Sequence, residues 1–307
     1  MVNYYKTINN KIEKIDNFEP GCWINIVSPT EEELFNIHSR LNIDSGFLRA
    51  PLDIEETSRI ETEEGQTLIV IDVPTTEKDD GKVIFETLPL AIITSEDCII
   101  TVCTKETSVI QGFADGLVRN VNTSYKTRFI LQILYRVSTR FLFYLKQIDR
   151  MSTNIEKELH KSMKNKELIQ LLDLEKSLVF FSTSLKANES TIERIQRGRF
   201  IKMYEDDEDL IEDVLIETKQ AIEMSNIYSS ILNGTMDACG SVISNNLNIV
   251  MKILTSITIL MSVPTMIASF YGMNVSGLPV PNFWFPVVLS LLITGGVAAF
   301  LIKKDMF

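Results

Sequence analysis

Side chains that could guide an ion recur along one face of an apolar segment near the C-terminus. They are spaced by three and four residues, which places them on one side of a helix. This stripe comprises Asn248, Met251, Thr255, Thr258, Ser262, Thr265 and Ser269. Within a membrane such groups either pack helices together through small polar contacts or line a path for water. Spacing alone favours helix packing, so the pore interpretation needs a second observation.

The helix that carries the stripe belongs to the longest uncharged region of the chain. No charged residue lies between Lys252 and Lys303. About 20 apolar residues form a helix long enough to cross the bilayer core, so residues 249–270 and 283–302 each qualify as a span. Two buried helices of a soluble domain are the alternative, but such helices rarely run in tandem without charge. We therefore predict a membrane protein with two C-terminal spans.

Basic residues predict the orientation of these spans. Lys252 flanks the start of the first span, Lys303 and Lys304 follow the second, and the connecting loop 271–282 has no basic residue. Because cytoplasmic flanks are enriched in Lys and Arg, both termini are predicted to be cytoplasmic. The predicted location is the cell membrane, with more than one pass.

A short motif at the outer end of the first span supplies the second observation. Tyr271-Gly272-Met273-Asn274 precedes a short loop and a final span that ends in lysines. In this position the Gly-Met-Asn triplet resembles the signature of the CorA family of magnesium transport proteins. The resemblance also covers residues 251–274 without a gap and, more weakly, the whole chain. It implies a funnel-shaped homopentamer in the lipid bilayer, with the first spans around one axial pore.

The resemblance gives the motif the role of a selectivity filter. Mg2+ gives up its waters reluctantly, so the filter should hold the hydrated ion by its outer shell. A ring of Asn274 carboxamides, with a close backbone carbonyl at Gly272, would supply neutral acceptors. Conduction needs binding weak enough for release, which a ring of carboxylates would not allow. Tyr271 and Met273 complete the predicted filter.

Within the implied pore, the stripe lines the path below the filter. Thr265, Ser262 and Thr258 would contact water, and Thr255 and Ser269 belong to the same lining. A cytoplasmic constriction would be formed by Asn248, Met251 and Leu254. The apolar side chains of Met251 and Leu254 would close it by dewetting.

The resemblance further implies a regulatory Mg2+ site between cytoplasmic parts of adjacent subunits. The matching residues are Glu55 and Glu56, which follow a Pro-Leu pair, and the pair Glu212-Asp213 on the stalk helix, of which Asp213 is the predicted ligand. Bound Mg2+ would hold the ring closed, and falling cytosolic Mg2+ would open it. Glu56 stands where the family commonly has Asp, and surface carboxylates outside any metal site are the alternative. The loop 275–280 also lacks the acidic residue that is common in the family.

A second acidic segment, residues 205–209, also invites a metal-site interpretation. Consecutive carboxylates point all around a helix, and the helix dipole favours them near its N-terminus. We therefore interpret this run as a solvated helix start rather than a specific metal site.

Composition excludes several classes of function. The chain carries 30 basic and 41 acidic residues, for a net charge of −11, so no nucleic acid is expected as a partner. Its four cysteines show no paired zinc spacing and are predicted to be buried thiols in a reducing cytoplasm. No glycine-rich phosphate loop, serine elbow or histidine–carboxylate arrangement occurs, so the chain is not predicted to be an enzyme.

The region before the spans predicts an α/β cytoplasmic domain followed by long helices. Alternating, β-branched segments predict a mixed sheet with flanking helices, with strands at 23–27, 67–73, 82–87, 90–94 and 98–102. Helical spacing predicts helices at 109–121, 127–161, 166–196 and 205–270. The last of these helices would be roughly 99 Å long at 1.5 Å per residue, which suits a stalk that continues into the membrane.

The predicted organisation therefore has six parts. They are a cytoplasmic α/β domain at 1–122, a helical hairpin region at 123–204, a stalk and first transmembrane helix at 205–270, an external loop at 271–282, a second transmembrane helix at 283–302 and a cytoplasmic tail at 303–307.

The sequence as a whole predicts a channel-like transporter for influx of hydrated Mg2+, gated by cytosolic Mg2+. Co2+ and Ni2+ are further candidate ions. A zinc or other divalent-cation transporter of the same architecture is one alternative, although the intact triplet favours magnesium. A membrane-anchored scaffold that has lost transport is the other, supported by the uncharged loop and by Glu56.

Overall fold

A computed structural model describes residues 1–9, 11–79, 82–162, 165–198, 200–274, 280, 282–304 and 306. The chain divides into two compact units, Met1–Gly234 and Thr235–Phe307. We describe each unit by itself. Of the external loop predicted at 271–282, residues 275–279 and 281 lie outside the described residues.

The first unit contains one seven-stranded mixed sheet. Its strands are β1 Val2–Ile8, β2 Lys11–Ile15, β3 Trp23–Val27, β4 Arg59–Glu63, β5 Gln66–Asp79, β6 Lys82–Thr94 and β7 Ile99–Cys103. Their order across the sheet is β2-β1-β3-β7-β6-β5-β4. The pair β3 and β7 is parallel and the other neighbours are antiparallel. The predicted mixed sheet with flanking helices is confirmed.

Helices connect and flank these strands and then continue to the C-terminus. They are α1 Glu31–Leu41, α2 Ser45–Arg49, a 3-10 turn at Ala50–Leu52, α3 Ser108–Ala114, α4 Lys126–Ser162, α5 Asn165–Arg197, α6 Glu205–Tyr271 and α7 Trp284–Lys303. Both α6 and α7 contain a stretch long and apolar enough to cross a membrane. The predicted long helix and the two C-terminal apolar helices are therefore confirmed.

Several predicted elements differ in extent. The segments 82–87 and 90–94 form one strand, β6, because each pairs with β5 along a single antiparallel ladder. The helix predicted at 109–121 ends at Ala114. Gly116 there has φ of +67°, its N–H donates to the Phe113 carbonyl, and the Leu117 N–H donates to the Gly112 carbonyl. This glycine cap ends helices. Strands β1, β2 and β4 were not predicted.

The core is built on both faces of the sheet. Residues of α1 and α2, including Leu34 and Phe47, pack against β3 and β7 on one face. On the other face Trp23 is fully buried, stacks on Tyr5 at 4.9 Å between ring centroids and meets Phe129 of α4 edge-on at 5.3 Å. The four cysteines are free and buried, as predicted. Desolvation raises the pKa of the Cys98 thiol to about 11.

One buried polar chain ties β3 to β7 and supports a stability prediction. The Trp23 indole N–H donates to Thr101 Oγ1 at 2.8 Å, and Thr101 Oγ1 donates to Asn25 Oδ1 at 3.1 Å. We expect Thr101→Val to lower the free energy of unfolding by roughly 1–3 kcal/mol, since the buried indole N–H loses its acceptor. Chemical denaturation of the two proteins measures this difference. An unchanged midpoint and slope would contradict the role given to this hydroxyl.

Candidate pore and regulatory site

The predicted filter residues lie where α6 ends. Helical bonding continues one residue past Tyr271, since the Gly272 N–H donates to the Ala268 carbonyl at 2.9 Å. Asn274 then follows outside the helix and is exposed. The Tyr271 ring lies 6.2 Å from the ring of Phe285, measured between centroids. This aromatic contact links the end of α6 to the first turn of α7 within the second unit.

Gly272 occupies a place that a side chain would crowd. A Cβ atom at this residue would lie 3.2 Å from the Ala268 carbonyl oxygen and 3.6 Å from the Ser269 carbonyl oxygen. The absence of a side chain thus lets the chain turn closely against the last turn of α6. It also leaves the backbone beside Asn274 uncovered, as the Gly272 residue is exposed.

Three hydroxyls of the stripe share one hydrogen-bonding arrangement. Thr258 Oγ1 donates to the Leu254 carbonyl at 2.8 Å, and Thr265 Oγ1 donates to the Met261 carbonyl at 2.9 Å. Ser262 Oγ donates to the Ile259 carbonyl, three residues back rather than four, at 2.8 Å. Because each proton is engaged with the helix backbone, each oxygen offers lone pairs outward. Water molecules bound to a cation point their hydrogens away from the ion, so they can donate hydrogen bonds to these oxygens.

The stripe is open along its length. Seven of the eight predicted lining residues are exposed and Ser262 is half-buried. At the predicted constriction, Met251 is 52% and Leu254 57% exposed. Ser256, in contrast to these exposed residues, is fully buried, and its Oγ donates to the Met306 carbonyl at 3.0 Å. Two positions along a helix turn a side chain to nearly the opposite side. Met306 thus covers α6 at Ser256, on the side of the helix away from the stripe.

Ser256 is a residue that sequence reasoning missed. It lies off the stripe, so helical spacing gave no reason to single it out. Its partner is 50 residues away in sequence. A serine within an otherwise apolar helical face was the one available signal.

The carboxylates predicted for regulation lie in the first unit on separate elements. Glu55 is exposed, and its backbone N–H donates to Asp53 Oδ1 at 3.0 Å. Glu56 is half-buried, pairs with the Arg59 guanidinium and accepts the Thr57 N–H at 3.0 Å. Asp213 is exposed on α6. Within the described residues no three His, Cys, Asp or Glu side chains form a group that could hold a metal. A site built on these carboxylates thus needs ligands from water or another subunit.

The Glu56–Arg59 ion pair was not anticipated from sequence. An arginine three residues along is a common neighbour, and only the turn into β4 brings the two side chains together. The pair holds Glu56 in place, and it also competes with any metal for the same oxygen.

The acidic run at the start of α6 is only partly solvated. Its first turn holds four acidic residues, as the helix dipole favours. Asp207, however, is only 3% exposed, with the Arg128 guanidinium 3.9 Å away. Desolvation raises the pKa of its carboxyl, while the Arg128 charge acts in the opposite direction. The prediction of a uniformly solvated run is therefore wrong at Asp207.

Sequence comparison finds a matching protein family and related proteins. The family profile described as CorA-like Mg2+ transporter protein matches residues 19–304. A protein of Methanocaldococcus jannaschii named cobalt/magnesium transport protein CorA is 28% identical over 284 residues, which cover 88% of this chain and 86% of that protein. A protein of the same name from Thermotoga maritima is 22% identical over 285 residues, covering 88% and 78%.

Solved structures give the same likeness at the level of the fold. The complete structure of the CorA magnesium transporter from Methanocaldococcus jannaschii superimposes with a TM-score of 0.81 at 24% identity. The match covers 99% of this chain and 96% of that one.

Proposed function

Since the chain belongs to the CorA-like Mg2+ transporter protein family, we propose that it carries hydrated Mg2+ into the cell through a pore lined by the α6 stripe. The ion enters past the Asn274 carboxamides and leaves through the constriction at Met251 and Leu254. Co2+ is a second substrate, in keeping with the names of the two relatives. The chain then acts as a transporter rather than as an enzyme.

The observation that best supports this function is the row of exposed polar side chains on one side of α6 in the second unit. They recur at helical spacing, whereas apolar side chains such as Ile253 and Ile257 occupy other sides of the helix. Exposed hydroxyls in a span gain nothing from lipid, whereas they stabilise water in a shared lumen. Several copies of α6 are needed to enclose that lumen.

We assign five copies and a cytoplasmic position to both termini. The parts of the chain are those defined from the sequence, with 1–122 and 123–204 in the cytoplasm, 205–270 as stalk and first span, 271–282 outside, 283–302 as second span and 303–307 inside. Lys252, Lys303 and Lys304 support this orientation through the positive-inside rule.

We further assign regulatory Mg2+ to Glu55 and Glu56 of one subunit and Asp213 of the next. In the closed state the ion would neutralise carboxylates that otherwise repel one another. Loss of that ion at low cytosolic Mg2+ would free the subunits and let the α6 helices separate. The exposure of Glu55 and Asp213 supports a site shared between chains.

Ion flux into liposomes tests the proposed function. Purified chain is reconstituted, and uptake of Mg2+, Co2+, Ni2+ and Zn2+ is compared with and without a pH gradient. We expect Mg2+ and Co2+ uptake that does not need the gradient. Uptake of Zn2+ alone, driven by protons, would instead identify a zinc transporter, and no uptake of any ion would identify a scaffold.

The hydroxyl stripe supports a prediction about conduction. Thr258→Val keeps the shape of the side chain but removes an outward acceptor from every subunit. We expect Mg2+ uptake to fall at least roughly fivefold, because each neutral hydrogen bond contributes about 1 kcal/mol. Thr294→Val is the matched control, since Thr294 lies on α7, and uptake should stay unchanged. Equal loss in the two variants would contradict a lumen lined by α6.

A further inference from the structure

A cleft between α3 and α4 is lined by two arginines, although the chain as a whole is acidic. Its volume is about 470 Å3, within the range of pockets that hold small molecules. Arg136 and Arg140 of α4 line one side, and Gln111 and Asp115 line the side of α3. The cleft lies wholly in the first unit, distant in sequence from the filter and the regulatory carboxylates.

The two arginines lie one helical turn apart and face the same way. Within the part of the chain that the structure describes, no carboxylate oxygen approaches either guanidinium to within 4.0 Å. Two like charges at this spacing repel each other in the absence of an anion.

Aromatic rings hold one of these guanidinium groups. The Arg140 carbon Cζ lies 5.4 Å from the centroid of the Phe143 ring and 5.8 Å from that of Tyr144. Such contacts hold the guanidinium beside the rings, while its N–H donors point outward in the guanidinium plane. A fork of that kind matches two oxygens of a phosphate group.

A buried hydroxyl at the same cleft lacks a partner. Ser108 lines the cleft, and its Oγ is buried without a hydrogen bond among the described residues. A buried polar atom of this kind costs free energy unless something satisfies it. A hydroxyl can donate to a phosphate oxygen, whereas it gains nothing from an apolar ligand.

The part of the cleft near Asp115, across from the arginines, calls for a different group. Asp115 is exposed and acceptor-only when ionised, and the Gln111 side chain is exposed and can accept or donate. A phosphate placed there would be repelled by Asp115, but the hydroxyl groups of a carbon skeleton would be bound. The cleft therefore has an anion side and a hydroxyl side.

We propose that this cleft binds a phosphomonoester with a hydroxylated carbon skeleton, of about the size of a pentose phosphate. The phosphate lies across Arg136 and Arg140 and accepts the Ser108 hydroxyl, while skeleton hydroxyls donate to Asp115. Binding is reversible and makes no covalent bond. This site is independent of the proposed transport function, since it uses none of the residues assigned to transport.

Calorimetric titration of the purified full-length chain tests the anion side. Ribose 5-phosphate is titrated in low-salt buffer with chelator, so that divalent cations do not bind the phosphate. We expect saturable binding that Arg136→Gln and Arg140→Gln each weaken roughly tenfold or more, because a charge-assisted hydrogen bond is lost. Arg140→Lys keeps the charge without the fork and should give an intermediate loss. Arg150→Gln is the control, as Arg150 is an exposed arginine of α4 outside the cleft.

Inorganic phosphate tests the hydroxyl side. Asp115→Asn should weaken ribose 5-phosphate severalfold and leave inorganic phosphate unchanged or tighter. No binding of either compound, unchanged affinity in both arginine variants, or equal loss in Arg150→Gln would overturn the proposal. So would equal affinity of the intact chain for the two compounds, which would leave no role for Asp115.

Discussion

Replacement of Asn274 by alanine is expected to lower Mg2+ uptake at least tenfold. The carboxamide is exposed directly beyond the end of α6, where its oxygen can accept hydrogen bonds from water bound to the ion. Removing it from every subunit takes away all these acceptors at the mouth of the pore. A loss of about 1.4 kcal/mol in the stabilisation of the rate-limiting state already slows a process tenfold.

Uptake of Mg2+ into liposomes at a fixed membrane potential measures this effect. Asn282→Ala is the matched control, because Asn282 carries the same carboxamide between the two spans. Its side-chain oxygen instead accepts the backbone N–H of Trp284, at the start of α7, at 3.4 Å. We expect uptake by this control to remain within twofold of the intact chain, as its local role leaves the mouth unchanged. Undiminished Mg2+ uptake by Asn274→Ala would remove the filter assignment.

The second large effect is expected at Asp213. Asp213→Ala removes a carboxylate from the proposed intersubunit site, so the concentration of internal Mg2+ that closes the pore should rise about tenfold or more. Hydrogen bonds and contacts to charged groups contribute roughly 1.5–3 kcal/mol each, which corresponds to that range. Uptake measured at graded internal Mg2+ gives the closing concentration.

Two further variants make this test specific. Glu212→Ala removes the neighbouring exposed carboxylate of α6, which points about 100° away around the helix, and should change the closing concentration little. Arg59→Gln releases Glu56 from its ion pair, so the pore should close at lower Mg2+. If Asp213→Ala and Arg59→Gln both left closure unchanged, the sensing site would lie elsewhere.

The features that sequence predicts well here are those set by local pattern over many residues. The uncharged stretch between Lys252 and Lys303 gave both apolar helices, and α6 begins at the predicted residue and ends one residue later than predicted. Alternating β-branched residues likewise gave the buried strands β3 and β7. Each of these signals is repeated many times along its element, so no single exception changes the prediction.

What the pattern did not give depends on contacts between distant residues. Strand β1 is half-buried and polar, and its pairing with both β2 and β3 makes it part of the sheet. The burial of Asp207 depends on residues packed around the start of α6, and the Ser256–Met306 bond joins residues 50 positions apart. Helical spacing and residue type do not indicate which distant residues become neighbours in the fold.

Some features of the candidate sites were visible in the sequence, and one was not. The stripe and the Gly-Met-Asn triplet were visible in sequence because each is local, and the structure adds the direction of the hydroxyl protons. The Glu56–Arg59 pair was not visible, although it changes how strongly Glu56 can bind a metal. Local motifs therefore located the candidate pore, whereas the conformation of the turn before β4 decides how Glu56 of the candidate regulatory site is paired.

Voltage-driven Mg2+ uptake is the most direct test of a water-filled pore through the α6 stripe. The intact chain is reconstituted in liposomes without a pH gradient, and initial uptake is recorded as an inside-negative potential is increased. A divalent ion that crosses 100 mV gains roughly 4.6 kcal/mol, so we expect uptake to rise steeply with the potential. Uptake that is absent at every potential, or that does not respond to it, would contradict a conducting pore.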